Sequence, residues 1–434
     1  MIRILSTLLL ILFVASCSLN EKSTFWTKDE KISREKQKII KVLFKDEKVQ
    51  ETEFNPNLKI NIKGKIVNNS FINNLNNNSG RTNYNGKLKN ISRFKFSKID
   101  NFNQYEPSII FSNNNVIFFD NIGSILKFDN SSKLIWKKNH YSKSEKKLKP
   151  ILFFANNSNT LIVVDTIAKL YAMNIKTGEL LWSKNNSANF NSQVKVYKDK
   201  FFAIDSKNVL RCYSIKDGAE IWNIKTETSL IKSVKKLSLV IKDDVVYFNN
   251  SIGDISAVNI DDGELLWLTP THNTKVTGQS FFTKSSVLVT NKNSIYLSND
   301  KNEFFSVDLK TGIINWQHKI NSILTPTIVN NLIFTVTMEG FLVVLDSKQG
   351  NIIRKTDIFK QFKKKKRTKI KPIGFIMGSK NIYLTTNHGR LLVIDVNLGK
   401  TISMLKIDNE KISRPFVLKQ NLYIIKENSI IRLN

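Results

Sequence analysis

The sequence predicts an all-β fold in which similar four-stranded antiparallel sheets form a ring. Five segments share one pattern, an apolar strand followed by a polar turn and then tryptophan: ILKFDNSSKLIW, LYAMNIKTGELLW, LRCYSIKDGAEIW, ISAVNIDDGELLW and FFSVDLKTGIINW. Their tryptophans, Trp136, Trp182, Trp222, Trp267 and Trp316, are 46, 40, 45 and 49 residues apart. A repeat of this length is one supersecondary unit that buries its apolar face only against neighbouring copies.

Each repeat contains several strands joined by hairpins. Its apolar residues occur in short blocks rich in Val, Ile, Phe and Tyr, which is typical of strands, for example at 161–164, 245–248 and 332–336. Glycine ends the polar turn in four of the repeats, where it adopts a positive φ without steric cost. We therefore predict that Gly178, Gly218, Gly263 and Gly312 form hairpin turns and that the tryptophans pack one blade against the next.

Two later copies keep the turn glycine but lose the tryptophan. Gly350 and Gly399 are followed four residues later by Arg354 and Ser403. The C-terminal segment LYIIKENSIIRLN supplies inner strands of an eighth copy that lacks its last strand. Residues 91–97 precede the first full copy and supply a strand for that place. This pairing predicts an eight-bladed β-propeller, because closing the ring protects strands that would otherwise be exposed at its ends.

A parallel β-helix is the main alternative fold. Its repeats are much shorter than the repeats of this chain, and it has no reason to carry a recurring tryptophan. The sequence therefore favours the propeller, which we place at residues 91–434.

The first 16 residues predict a signal peptide. Arg3 precedes an apolar run that is too short to span a membrane as a helix. The run ends in VASC, which resembles the bacterial lipobox, where cleavage before the cysteine leaves a thiol that is acylated. We therefore expect Cys17 to carry lipid, and an ordinary signal peptide is the alternative. Because Ser18, and no aspartate, follows Cys17, we expect the outer membrane and its periplasmic face.

Residues 17–90 are predicted to be a partly irregular tether. The stretch 68–85 is rich in Asn, Ser and Gly and has little to bury. The only other cysteine, Cys212, lies in a predicted strand, so we expect a small buried apolar residue and no disulfide.

The chain is strongly basic, with a net charge of +31. An exported protein does not meet nucleic acid, so we do not predict nucleic-acid binding. The one dense cluster, KKKKRTKIK from Lys363 to Lys371, lies between the sixth and seventh repeats and therefore on a connecting loop. It predicts either contact with anionic lipid headgroups or an acidic partner, or simply a solvated basic loop.

The motif TGELLW and its variants resemble the PQQ-like repeat of quinoprotein dehydrogenases. In such enzymes the quinone stacks on a disulfide between adjacent cysteines, beside a calcium ion. This chain has no adjacent cysteines, and its four histidines, His140, His272, His318 and His388, lack metal-binding spacing. We therefore expect no cofactor, metal site or enzymatic activity. A quinoprotein dehydrogenase and a lipid-anchored ligand-binding propeller remain as alternatives.

The combination of lipobox, tether and eight repeats resembles the BamB-type lipoproteins of the outer-membrane β-barrel assembly machinery. The resemblance implies a non-enzymatic scaffold that docks on the POTRA domains of a BamA-type barrel subunit, beside other lipoproteins of the machinery, and aids insertion of unfolded outer-membrane proteins. It places docking at Leu230, Ile231 and Lys232, where lysine replaces the family's arginine. The acidic counterpart is expected near 274–286, a stretch that has no carboxylate in this chain.

Overall fold

The computed structural model describes residues 52–62, 66–67, 75–105, 107–227, 235–271 and 284–434. These residues form eight sheets, seven of four strands and one with two short additional strands, which confirms the predicted eight-bladed β-propeller. Three strands precede the first blade: β1 (Ile66–Val67), β2 (Arg81–Thr82) and β3 (Asn90–Lys95).

Blades 1 to 7 follow the chain order, and the first strand of each lines a central channel while the fourth forms the outer rim. Blades 1 and 2 consist of β4 (Ile110–Ser112), β5 (Asn115–Phe119), β6 (Ile125–Phe128), β7 (Leu134–Lys138), β8 (Leu152–Asn156), β9 (Thr160–Asp165), β10 (Lys169–Asn174) and β11 (Leu180–Asn185). Blades 3 and 4 consist of β12 (Lys195–Tyr197), β13 (Lys200–Ile204), β14 (Val209–Ser214), β15 (Glu220–Lys225), β16 (Leu239–Lys242), β17 (Val245–Asn249), β18 (Ile255–Asn259) and β19 (Leu265–Thr269).

The second half of the ring repeats this arrangement. Blades 5 and 6 consist of β20 (Val289–Thr290), β21 (Ser294–Ser298), β22 (Phe304–Asp308), β23 (Ile314–His318), β24 (Thr327–Val329), β25 (Leu332–Val336), β26 (Phe341–Asp346) and β27 (Ile352–Asp357). Blade 7 consists of β28 (Pro372–Met377), β29 (Asn381–Thr386), β30 (Arg390–Asp395) and β31 (Thr401–Lys406), and β32 (Phe416–Leu418), β33 (Asn421–Lys426) and β34 (Ser429–Leu433) follow.

The eighth blade is closed by the N-terminal strand, as the sequence predicts. Its strand order is β3-β34-β33-β32, and β3 pairs antiparallel with β34 from Asn90 opposite Leu433 to Lys95 opposite Ser429. Phe94 on β3 is fully buried, and its ring lies 5.7 Å from the ring of Phe128 in blade 1. Strand β3 therefore completes blade 8 and also packs it against blade 1.

Strand direction divides the ring into two faces. Because neighbouring strands are antiparallel, the connections between blades lie on one face, and the hairpins that carry the turn glycines lie on the other. We call these the connection face and the hairpin face. The connection face carries two short helices, α1 (Lys143–Lys147) and α2 (Lys364–Arg367). Among the described residues, no helix is long and apolar enough to span a bilayer.

Part of the predicted tether is instead integrated into the ring. Residues 75–82 run along the inner strands of blades 4 to 7 in turn. The carbonyl of Leu75 accepts a hydrogen bond from Ile241 N at 2.9 Å in blade 4, and β2 pairs in parallel with β28 in blade 7. Thr82 and Tyr84 are fully buried. The prediction that the stretch 68–85 has little to bury is therefore wrong for its described residues, 75–85.

The physical reason is that inner strands leave backbone groups facing the channel, and these need partners. The side-chain amide of Asn78 exchanges two hydrogen bonds with the backbone of Ile328 in blade 6, at 2.9 and 3.0 Å. The Asn77 amide donates to the carbonyls of Leu239 and Leu288 in blades 4 and 5, at 2.8 and 2.9 Å. Asparagine is suited to this place because its amide both donates and accepts.

Candidate functional site

The five tryptophans each lie on the outer strand of a blade and reach the next blade. Each indole N–H donates to a backbone carbonyl there: Trp136 to Lys176 at 2.9 Å, Trp182 to Ile215 at 2.8 Å, Trp222 to Ile260 at 3.2 Å, Trp267 to Leu309 at 3.0 Å and Trp316 to Ser347 at 3.3 Å. The rings therefore bridge consecutive blades and do not converge on a common site.

The turn glycines are the surfaces on which those rings lie. Their φ angles are between 67° and 78°, in the left-handed region. A Cβ atom on Gly218, Gly263, Gly312 or Gly350 would come within 2.5–2.7 Å of the tryptophan of the preceding blade, and one on Gly178 would lie 3.1 Å from Trp136. Two features therefore require glycine at these positions: the left-handed turn and the close approach of the indole ring. The sequence predicted only the turn.

Arg354 takes the place of tryptophan in blade 6. Its side chain is fully buried on β27, and a Cβ on Gly399 would lie 2.7 Å from its Nη2 atom. The guanidinium donates to Val396 O at 3.1 Å, Leu58 O at 3.0 Å and Asn397 O. Burial lowers the pKa of Arg354 to about 10, so the group remains charged at neutral pH. Arginine therefore links blades 6 and 7 and holds the N-terminal segment at Leu58.

The acidic side chains of the turns are occupied by backbone contacts. The carboxylate of Asp308 accepts from the N–H groups of Lys310 and Thr311 at 3.0 and 2.9 Å. Asp165 accepts the Tyr141 hydroxyl at 2.6 Å, and burial raises its pKa to about 6. These carboxylates shape turns, as their positions in the sequence suggest.

The central channel has a cationic lining among the described residues. Its lining includes Lys236, Lys411 and Arg414 beside Asn77. Lys195 is almost fully buried and donates to Asn77 Oδ1 at 2.6 Å. Burial, together with Lys236 and Arg414, lowers the pKa of Lys195 to about 7.

The residues present do not fit pyrroloquinoline quinone and calcium. Calcium is held by several oxygen ligands, most of them carboxylates and carbonyls, and no group of His, Cys, Asp or Glu able to hold a metal occurs within the described residues. Cys212 is fully buried in β14, and burial raises the pKa of its thiol to about 12, so it is an inert structural residue.

Within the described residues, the outer strands other than β27 have a neighbouring strand on one side only, and several carry exposed apolar side chains. Side chains that are 36–59% exposed recur on six of the outer strands, mostly just before the tryptophan: Leu134, Ile135, Leu180, Leu181, Ile221, Leu265, Leu266, Leu268, Ile314, Ile402, Met404 and Leu405. An exposed outer strand presents backbone donors and acceptors to any extended chain. The rim therefore offers repeated sites for strand addition.

One such site is already used by the chain itself. Phe54 pairs with Lys355 on β27 through two backbone hydrogen bonds of 2.9 Å each. The Asn55 amide donates to Ile353 O at 3.2 Å, and the Glu53 carboxylate accepts from Asp357 N at 3.0 Å. Phe54 thus forms a single antiparallel bridge to the rim strand of blade 6, and Asn55, with a φ of 46°, turns the chain away after it.

Several residues that the sequence analysis considered lie outside the described residues. They are Cys17, His272 and the docking residues Leu230, Ile231 and Lys232, together with most of the stretch 274–286. The docking residues fall in the gap between Glu227 and Lys235, in the connection between blades 3 and 4 on the connection face. The described histidines, His140, His318 and His388, lie in separate blades or connections and do not come together.

Known proteins resemble the chain in both sequence and structure. The family model described as outer membrane protein assembly factor BamB matches residues 121–356. BamB of Yersinia pestis is 22% identical over 267 residues, which are 56% of this chain and 63% of that protein. BamB of Moranella endobia is 22% identical over 195 residues, 44% of this chain and 50% of that protein. The alignments thus span between half and two-thirds of these relatives.

The fold is similar to that of solved propellers of two kinds. The crystal structure of BamB from Moraxella catarrhalis superposes with a TM-score of 0.66 at 14% identity, over 80% of this chain and 99% of that one. A europium-containing methanol dehydrogenase gives 0.64 at 9% identity, over 82% and 89%. Structural likeness at such identities establishes the fold alone. The sequence match covers more than half of the residues, and on that basis the chain belongs to the family of the outer membrane protein assembly factor BamB.

Proposed function

We propose that this chain is a lipid-anchored, non-enzymatic scaffold on the periplasmic face of the outer membrane. In this role it serves the β-barrel assembly machinery by holding unfolded barrel precursors next to the barrel subunit. Family membership and the relatives' shared name, outer membrane protein assembly factor, support the general role. The lipobox at Cys17 supports the anchor.

The observation that carries the proposal is the main-chain pairing of Phe54 at blade 6. Phe54 shows that a rim strand of this propeller accepts a residue from another part of the chain through a pair of main-chain hydrogen bonds. Barrel precursors consist of extended segments that alternate apolar and polar side chains. Main-chain bonds to a rim strand would hold such a segment without regard to its sequence, and the apolar rim would contact its alternate side chains.

Docking on the machinery is proposed at the connection between blades 3 and 4. Leu230 and Ile231 offer apolar contact to the POTRA domains of a BamA-type subunit, and Lys232 offers a charge. A lysine ammonium pairs as a point charge and lacks the planar fork of arginine, so we expect a less geometrically specific contact than an arginine would make. Other lipoproteins of the machinery would join through the barrel subunit.

Affinity purification from detergent-solubilised membranes tests this proposal. The tagged wild-type chain should recover the BamA-type barrel subunit. A Leu230→Glu/Ile231→Glu double variant should lose at least tenfold of that recovery, because it places charge in an apolar contact. Leu148→Glu is the matched control, since Leu148 is 64% exposed on the connection between blades 1 and 2. A wild-type chain that recovers no barrel subunit, or equal losses in both variants, would contradict the proposal.

The quinoprotein alternative is disfavoured by the channel and has a direct test. Adding pyrroloquinoline quinone and Ca²⁺ should leave the unfolding temperature unchanged, because no described cluster can hold the metal. A quinone absorbance band that persists after desalting, with a raised unfolding temperature, would establish that alternative. A ligand site built from the tryptophans is disfavoured too, because their rings lie on the glycines of the next blade.

A further inference from the structure

The connection between blades 6 and 7 is the most basic surface of the described chain. We call residues 358–371 the basic loop. It contains eight Lys and Arg residues and no Asp or Glu. Seven of its lysines are exposed: Lys360, Lys363, Lys364, Lys365, Lys366, Lys369 and Lys371.

Buried residues at both ends and one ion pair attach the basic loop to the ring. Ile358 and Phe359 are fully buried at its start, and Ile370 is buried near its end. Arg367 forms an ion pair of 2.6 Å with Asp357, the last residue of β27. That carboxylate is the only one that the described residues pair with the loop. The ends of the loop are therefore anchored to the ring, and its lysine side chains are exposed to solvent.

The chain toward the proposed anchor leaves the described structure beside the basic loop. The pairing of Phe54 with Lys355 is antiparallel, and Glu53 contacts Asp357. Going from Phe54 back toward the N-terminus, the chain thus runs to the end of β27 at which the basic loop begins.

We propose that the basic loop is a binding surface for anionic phospholipid headgroups, so that blade 6 faces the membrane. This inference rests on the proposed lipid anchoring at Cys17 for its orientation. The chemistry follows from the side chains, because lysine ammonium groups act as point charges toward phosphates and need no fixed hydrogen-bond geometry. Each lysine close to an anionic surface strengthens binding about fivefold.

Flotation with lipid vesicles tests the lipid surface separately from the anchor. The full mature chain would carry Cys17→Ser, so that no acyl group contributes. It should bind vesicles that contain phosphatidylglycerol, should not bind vesicles of phosphatidylcholine alone, and should lose binding as salt is raised. Lys364→Gln/Lys365→Gln/Lys366→Gln should weaken binding about a hundredfold, from three factors of about five.

A second triple variant removes the same charge from the other face. Lys176, Lys216 and Lys310 are exposed on hairpins that carry turn glycines. Changing all three to Gln should alter vesicle binding less than twofold, because the hairpin face is directed away from the lipid. Equal weakening by both triples would mean that net charge alone drives binding and would overturn the inference. Binding that does not distinguish the two lipids would overturn it as well.

An acidic protein is the other class of partner, and the outcomes separate it from lipid. The triple variant of the basic loop, Lys364→Gln/Lys365→Gln/Lys366→Gln, should recover as much barrel subunit as the wild-type chain in affinity purification from membranes. Loss of that recovery without loss of vesicle binding would assign the loop to a protein and refute the lipid surface. Failure of the anchor itself would show as an unmodified Cys17 by mass spectrometry, and the vesicle result would stand independently.

Discussion

Phe94 offers the clearest test of ring closure, because it lies on β3, the N-terminal strand that completes the eighth blade. Its side chain is fully buried between blades 8 and 1, with its ring 5.7 Å from that of Phe128 and 6.2 Å from that of Tyr423. Replacing a buried phenylalanine by alanine costs about 3–5 kcal/mol, because it removes apolar contact and leaves a cavity. Phe94→Ala should therefore lower the free energy of unfolding by about 4 kcal/mol, roughly a thousandfold in the folding equilibrium.

Ile91 provides a matched control on the same strand. It is 45% exposed, and surface substitutions of this kind change stability by about 0.5 kcal/mol or less. Urea unfolding followed by tryptophan fluorescence measures both variants. We expect a lower midpoint for Phe94→Ala at unchanged slope and an unchanged midpoint for Ile91→Ala. If the two variants lost equal stability, or if Phe94→Ala lost none, residues 90–95 would not close the ring.

Three further predictions concern single side chains of the ring. Gly263→Ala should lower the free energy of unfolding by about 2–4 kcal/mol, because backbone strain at a φ of 78° adds to a clash with the Trp222 ring. Gly80→Ala is the control: its φ is 56° and no atom lies near the added Cβ, so it should cost only about 1–2 kcal/mol. Equal costs in urea unfolding would refute the contact with Trp222. Arg354→Lys should cost about 3 kcal/mol by thermal or urea unfolding, because the three carbonyls are arranged around two guanidinium nitrogens and a single ammonium nitrogen cannot take both positions. A loss under about 1 kcal/mol would contradict this. Between pH 7 and 10.5 the unfolded chain keeps a proton on Lys195 that the folded chain lacks, because the folded pKa is lowered to about 7, so stability should rise with pH by up to about 1.4 kcal/mol per unit. The free energy of unfolding of Lys195→Met should lack this slope, and parallel pH profiles for the two proteins would rule out the buried charge.

The ring itself was predictable because its signals repeat. Tryptophan, turn glycine and apolar blocks recur at one spacing, so that weak local patterns reinforce one another over the chain. The unmatched C-terminal copy required a donor strand, and residues 90–95 fill that place. A single copy would not have distinguished a blade from any other β-meander.

The interior of the channel was not predictable in the same way. An asparagine-rich stretch is typical of irregular segments, and nothing local in it shows that Asn77 and Asn78 bind carbonyls more than 150 residues away. The partners are backbone groups, which leave no trace in the sequence. The sequence shows that Arg354 replaces tryptophan in the sixth repeat. Its role could not be predicted, because the carbonyls that it binds come together only when blades 6 and 7 pack against each other.

The propeller joins two properties that a scaffold requires. Its blades are fixed to one another by indole and guanidinium contacts, so the ring does not need to rearrange to bind. Its rim keeps strand edges and apolar side chains exposed, which soluble proteins usually cover. These exposed strand edges and apolar side chains support the proposed role of holding an unfolded chain.

Photo-crosslinking at the rim is the most direct test of the proposed role. A photoreactive residue at Leu266, which is 48% exposed on the rim strand β19, should crosslink to unfolded barrel precursors in living cells. The same residue at Lys216, on the hairpin face, should not. The proposed role predicts precursor crosslinks from the rim position alone. Equal yields from both positions, or no precursor at either, would contradict it.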